Sequence, residues 1–362
     1  MNKVFSSLVL VMILLVSSPG EASMEQASRD VSFQDEQLEQ AIREVLNKDK
    51  DADITQKEME SLTVVDLSNR GIKNLQGLQY ASNLTNLDLS NNKIVDLKPL
   101  KSLTNIRNLD IGSNRISNLS PLEGMTLMRI LYAENNQIKK LDPLKKMSNL
   151  SSLNLNSNLV YNLEPLKSLD ELNYLYLSDN RVWNLDPIRN HAFDTHYDTG
   201  ALRYALQLNG NYLDVRSATK TYQLLNKLGG EAYPKSQRKA QRLVMGSKTA
   251  FIGESSFALN AAPFIASSRT YVPIRFVSER LGSKVTWNQS KQEVTISKDN
   301  TTIRWKVNEK KANVNGKTIS FDAPLLLKKN SSFVPVRFVS ELLGSPVEYM
   351  TNPQTVLIFE NK

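Results

Sequence analysis

The stretch that decides the fold is LTNLDLSNNKIVDLKPLKSLTN, residues 84–105, and it returns as LSSLNLNSNLVYNLEPLKSLDE at 150–171. The period is 22: Leu62, Leu84, Ile106, Met128, Leu150 and Leu172 hold the same place in successive copies. Leu87 and Leu89 stand two apart, so on a strand their side chains share a face. Leu97 and Leu100 close the same copy from the other side. One copy cannot bury these leucines alone, whereas a stack of copies makes a continuous core. Asn92, Asn114, Asn136, Asn158 and Asn180 recur just past the strand, where the backbone bends out of its ladder. A buried amide side chain both donates and accepts, so it can satisfy the groups orphaned there. Pro99, Pro121, Pro143, Pro165 and Pro187 fall where the chain must turn back, with φ already set.

A period in this range with an L-x-x-L-x-L-x-x-N core is the signature of a leucine-rich repeat. The predicted fold class is two domains: a leucine-rich repeat solenoid of 22-residue repeats, each a β-strand plus a short helical or 3-10 convex side, with a helical N-terminal cap, then an α+β duplicated β-sheet/helix domain. The expected organisation is a signal peptide at 1–23, the helical cap at 24–61, and six regular turns plus a degenerate one around Asn211 at 62–216. A capping helix and linker follow at 217–245, and the duplicated domain occupies 246–362. In the cap, Leu38, Ala41, Ile42, Val45 and Leu46 have helical spacing. Just beyond, NKDKDADITQKE places Asn47, Asp49, Asp51, Asp53 and Glu58 at the spacing of a calcium loop. Ala52 stands where such a loop wants glycine, and Thr55 with Glu58 also makes a helix capping box, which explains the glutamate without a metal. The cap and the run AIREVL…DITQKEMESLTVVDLSNRGIKNLQGLQYASNLTNLDLSNN, with its repeated DL-x-PL, resemble the internalin-like proteins of Gram-positive bacteria over residues 33–228. That resemblance implies a concave strand face that binds a protein or glycan.

Alternation along the strands predicts which residues line that face. The central column is Asp66, Asp88, Asp110, Tyr132, Asn154, Tyr176 and Gln207, flanked by Glu134, Tyr174, Ser178 and Asp179; Tyr161 and Trp183 share a place just beyond the strands. Aspartates thus occupy the early turns and aromatics the later ones. Exposed aromatics grouped on a rigid face make interface hot spots and sugar platforms. Aspartate at this place also serves simply to solvate the face. The expected partner-binding set is Asp66, Asp88, Asp110, Tyr132, Glu134, Tyr161, Tyr174, Tyr176 and Trp183.

The tail repeats itself at a shift of 62, YVPIRFVSERLG from Tyr271 against FVPVRFVSELLG from Phe333. Pro273 and Pro335 stand at the start of a helix that Gly282 and Gly344 end. KVTWNQSKQEVTIS reads as a hairpin, and Asn315-Gly316 tips another. Each half is expected to form its own small sheet with one helix, the halves packing as a pseudo-dimer. These motifs resemble the duplicated stalk domain named after the N-terminal domain of copper amine oxidases. The copper chemistry of that enzyme needs three histidines, and this chain has none after His196. The duplication therefore builds a non-catalytic module, and the resemblance implies one of the wall-associating or presentation kind. Arg275 with Glu279, and Arg337 with Glu341, are spaced as ion pairs on one helix face. Residues 246–362 hold 16 Lys and Arg against 9 Asp and Glu, so most of the chain's formal charge of +8 lies here. Lys284, Lys291, Lys298, Arg304, Lys306, Lys310, Lys311, Lys317, Lys328 and Lys329 could meet an anionic cell-wall polymer or simply solvate the surface.

The opening MNKVFSSLVLVMILLVSSPGEAS has the basic, apolar and small-residue order of a secretory signal. The mature protein is expected to be secreted, with cell-wall association as its second expected location, with no transmembrane segment and no nucleic-acid partner. With no cysteine, disulfides and thiolate metal sites are excluded. His191, Asp194, His196 and Asp198 are the one cluster that could serve a metal-dependent enzyme, and their irregular spacing sets no geometry. The expectation is a non-enzymatic recognition protein without cofactor. Two alternatives stay open, a secreted assembly subunit whose tail pairs with other proteins, and a metal-dependent hydrolase at the His191 loop.

Overall fold

The computed structural model describes residues 30–194, 205–230, 232, 236–336, 338, 342–351 and 353–360. The expected leader, His196, Asp198, Arg337 and Glu341 lie outside them. Two helices cap the solenoid, α1 (Glu36–Leu46) and α2 (Gln56–Glu60). Asp35 starts α1, its Oδ1 accepting from the N–H groups of Gln37 and Leu38, while Oδ2 accepts from Lys73 at 2.8 Å and Asn74 at 3.0 Å in the first repeat. One carboxylate thus caps a helix and fastens it to the solenoid.

The repeats build a seven-stranded parallel sheet in chain order: β1 (Val64–Asp66), β2 (Asn86–Asp88), β3 (Asn108–Asp110), β4 (Ile130–Tyr132), β5 (Ser152–Asn154), β6 (Tyr174–Tyr176) and β7 (Leu206–Gln207). Short 3-10 turns return each coil, five of them with proline in the first turn, as at Lys98–Leu100 and Asp186–Ile188. The repeated leucines, Leu84, Leu89 and Leu100 among them, are wholly buried in one core running the length of the solenoid. The asparagines form a ladder. Asn92 Nδ2 donates to Leu67 and Leu89 carbonyls, both at 2.9 Å, and its Oδ1 accepts from Ile72 at 3.0 Å. Asn211 repeats the pattern in the degenerate last turn, donating to Leu177 at 2.7 Å. Helix α3 (Lys220–Lys227) closes that end, and Gly229 follows it with φ +62°, a left-handed conformation that glycine adopts without cost to a Cβ.

The C-terminal domain runs β8 (Ala240–Val244), β9 (Thr249–Ile252), β10 (Ser255–Ala258), β11 (Phe264–Ala266), β12 (Arg269–Pro273), α4 (Ile274–Arg280), β13 (Lys284–Asn288), β14 (Glu293–Lys298), β15 (Thr301–Lys306), β16 (Lys311–Val314), β17 (Lys317–Ser320), β18 (Leu326–Lys328), β19 (Ser331–Pro335), β20 (Val347–Thr351) and β21 (Gln354–Phe359). Strand β8 precedes the expected start at 246 and belongs to this domain's sheet.

The expectation of one sheet per half is corrected. The two five-stranded sheets have the orders β10-β9-β8-β21-β20 and β17-β16-β15-β14-β13. Because β15 repeats β8 and β21 repeats β14, each sheet combines the beginning of one half with the end of the other. A four-stranded sheet, β11-β12-β19-β18, joins them. Sharing strands pairs edges that a free-standing half would leave open, and it gives both halves one core around the fully buried Trp305 and Phe338.

Candidate recognition surface

Parallel pairing places Asp66, Asp88, Asp110, Tyr132, Asn154, Tyr176 and Gln207 opposite one another in a single row across the solenoid. From Asp66 to Tyr176 the row rests on the period, since a residue 22 positions on lands one strand over at the same height; Gln207 joins it 31 positions on, after an insertion. Each aspartate also serves its own turn. Asp66, Asp88 and Asp110 accept from the N–H two residues later, on Ser68, Ser90 and Gly112, all at 2.8 Å. Half of each carboxylate is therefore spoken for locally, as in an Asx turn.

The environment differs along the row. At Asp66 the hydrogen bonds of Ser68 hold the carboxyl below its ordinary range. At Asp110 burial pushes it up to about 6, with the Asp88 and Glu134 charges adding to the rise against the Gly112 hydrogen bond. Glu134 comes close because position 112 is glycine. A Cβ there would lie 2.8 Å from Glu134 Oε1, and the other oxygen, Oε2, is buried without a hydrogen-bond partner among the described residues. Asp88, Asp110 and Glu134 thus concentrate negative charge beside Tyr132, which is 37 % exposed. The row of rigid strands can hold this acidic patch and its aromatic neighbour in fixed register against a partner.

The other aromatics are not free platforms. Tyr176 is only 7 % exposed, and half-buried Tyr174 donates from its hydroxyl to Asp194. Tyr161 and Trp183 are covered by the C-terminal domain, in a cluster with Tyr212, Ala240, Leu357 and Phe359. The Arg242 guanidinium lies 5.4 Å from the Trp183 ring centre, and Arg181 lies 5.7 Å from that of Phe359. Glu348 on β20 pairs with Arg181 at 3.1 Å and with Lys139. Tyr212 donates to the Glu360 carbonyl at 2.8 Å. No signal in the sequence marked Arg181, Arg242 or Glu348, since their partners lie far away along the chain.

In the calcium-like loop the glutamate is engaged by protein groups. Glu58 accepts from Lys48 Nζ at 2.8 and 2.9 Å and from the Thr55 N–H, and its carboxyl is lowered to about 2, first by Lys48 and then by Thr55. Asn47 ends α1 with φ +52°. In the other weak cluster, His191 Nε2 sits 3.1 Å from the Leu166 carbonyl and its ring stacks on Phe193. Among the described residues no three His, Asp or Glu side chains converge to hold a metal ion. No described helix is long and apolar enough to cross a membrane.

Comparison with known proteins agrees with both resemblances drawn from the sequence. Residues 236–358 match the copper amine oxidase N-terminal domain, and residues 82–124 match paired leucine-rich repeats. Similar solved structures include two internalins of Listeria monocytogenes. One, inlF, is 31 % identical, with 56 % of each chain covered and a TM-score of 0.48. The other, inlC2, is 25 % identical over 56 % of this chain and 94 % of its own, with a TM-score of 0.42. This chain thus spans little more than half the length of the first. No curated protein matches it.

Proposed function

Taking the chain as a leucine-rich repeat solenoid joined to a domain of the copper amine oxidase N-terminal type, we propose that it is a secreted recognition protein without catalytic activity. The observation that carries this reading is the in-register row from Asp66 to Gln207, with Tyr132 exposed at its middle beside Asp88, Asp110 and Glu134. Such a surface suits a protein or glycan that offers an apolar group flanked by cationic or hydrogen-donating groups. The aromatic contribution narrows from five residues to Tyr132 and the open part of Tyr174, because Tyr161 and Trp183 serve the domain junction.

The C-terminal domain is assigned the task of holding the protein at the cell envelope. Arg304, Lys306 and Lys311 are exposed on neighbouring strands of one sheet, where they can meet an anionic wall polymer. The apolar leader at 1–23 supports export.

The test uses the full chain on a panel of surface proteins and glycans, with a triple variant Asp88→Ala, Asp110→Ala, Tyr132→Ala alongside. A partner retained by the parent and lost by the variant supports the concave-face reading; equal retention of every partner sinks it. Co-sedimentation with purified sacculi at low and high salt tests attachment separately. Salt-reversible pelleting is expected, and a chain that stays in solution at both salts ends that part of the reading.

A further inference from the structure

The C-terminal domain contains a cleft of about 450 Å³ between α4, the β13 strand and the start of β19. That volume falls in the range of small-ligand sites, ~300–1,000 Å³. Its wall carries Trp287, Gln289, Asn260, Ser331, Arg275 and Glu279. Trp287 packs one side against the domain core and donates from Nε1 to Gln289 Oε1 at 2.6 Å, which ties the indole to an exposed amide at the rim. Arg275 and Glu279 lie 3.9 Å apart, so the two charges offset each other. The cleft therefore offers an aromatic ring, amides and hydroxyls, and no net charge.

The duplication supplies an internal comparison. Shifting by 62 residues turns Asn260 into Asp322, Ser331 into Arg269, Trp287 into Tyr349 and Gln289 into Thr351. In that second position Arg269 Nε and Asp322 Oδ2 form an ion pair at 2.7 Å. The wall around Asp322 thus carries a salt link where the corresponding wall around Asn260 has two small neutral side chains. The duplicate positions share a strand framework and differ at this wall, so the framework alone does not dictate the neutral side chains.

We propose that the Trp287 cleft binds a neutral pyranose sugar. A pyranose has an apolar C–H face that lies against an aromatic ring and a rim of hydroxyls that both donate and accept. Asn260, Gln289 and Ser331 present matching donors and acceptors. A phosphate-rich polymer would instead require uncompensated cations, and those lie on the exposed sheet face. This deepens the envelope-attachment reading, from which it takes the expectation of a glycan, by naming a neutral sugar and a place for it; it does not depend on the concave face.

The test is calorimetric titration of the full chain with chitotriose and with cellotriose. At least one is expected to bind at a single site. Trp287→Ala should weaken it about tenfold or more and Trp287→Phe much less, a loss of the size expected for removing an aromatic platform. Because Trp287 also contacts the core, Gln289→Ala at the exposed rim is a second variant, and thermal melting reports whether each remains folded. The paired change Asn260→Asp with Ser331→Arg copies the ion-paired wall of the duplicate position and should abolish binding in a folded protein. Absence of binding by either sugar at millimolar concentration overturns the proposal. So does binding that survives both Trp287→Ala and the paired change, or that is lost instead in the concave-face triple variant. Salt-sensitive pelleting with sacculi but no sugar binding would leave the charge-based attachment standing and remove only the cleft.

Discussion

Val272 on β12 lies opposite Val334 on β19, its own counterpart 62 residues later, and both are wholly buried. On either side Tyr271 faces Pro335 and Pro273 faces Phe333, so the register reverses symmetrically about this pair. The local two-fold axis of the duplicated domain passes between two residues of the same kind. Neither half can complete the central sheet alone.

Equivalent burial predicts equivalent cost. Val272→Ala and Val334→Ala should each destabilise the domain by ~2 kcal/mol, the transfer and cavity terms for two lost methyl groups. As the residues face each other, the double variant should depart from additivity by at least ~0.5 kcal/mol. Denaturant unfolding of the four proteins measures this; strictly additive losses would contradict the facing arrangement.

Asp35 couples the cap to the repeats. Burial alone would raise its carboxyl, and the N–H groups of Lys73, Asn74, Leu38 and Gln37 outweigh that, holding it below its ordinary value. A carboxyl lowered by folding contributes its stability above the unfolded value and loses it as pH falls through the folded one. Asp35→Ala should therefore cost ~2 kcal/mol at neutral pH. Melting curves from pH 7 to 3 should show the gap from the parent closing only at the acid end.

Asp110 has the opposite sign. Its carboxyl titrates near 6, raised mainly by burial, so the ionised form burdens the fold at neutral pH and the burden lifts as pH falls from 6 toward the ordinary value of 3.8. Asp110→Asn should stabilise by ~1 kcal/mol at pH 7.5, after allowance for solvent screening, and by nothing near pH 4. Carboxyl carbon NMR of the parent should show one concave-face aspartate titrating near 6.

The domain junction depends on Glu348, which is 12 % exposed in its side chain between Arg181 and Lys139. Glu348→Ala strands two cations beside an apolar cluster and should cost ~1–3 kcal/mol, the range for a lost charged hydrogen bond. A double-mutant cycle with Arg181→Ala should give a coupling of ~1–2 kcal/mol. No measurable coupling would place the two side chains apart in solution.

The sequence by itself determined the solenoid, because each repeat makes its neighbour's environment. Leu87 is buried by its equivalents one period away, and Asn92 bonds to the turn just before it, so the 22-residue spacing of neighbouring repeats carries the whole argument. The same interval put Asp66, Asp88, Asp110 and Tyr132 into one row, and the shift of 62 revealed the duplication. The folded molecule alone reveals what long-range contacts set. It exchanged β21 and β14 between the halves, because a short sheet gains hydrogen bonds wherever a matching edge is available, and the alternation pattern is the same for either choice. It packed Tyr161 and Trp183 against strands β8 and β21, more than 50 residues away, where no local pattern distinguishes an aromatic kept for a partner from one kept for the chain itself. And it set an ion pair, Arg269 with Asp322, where the corresponding wall of the Trp287 cleft has Ser331 and Asn260.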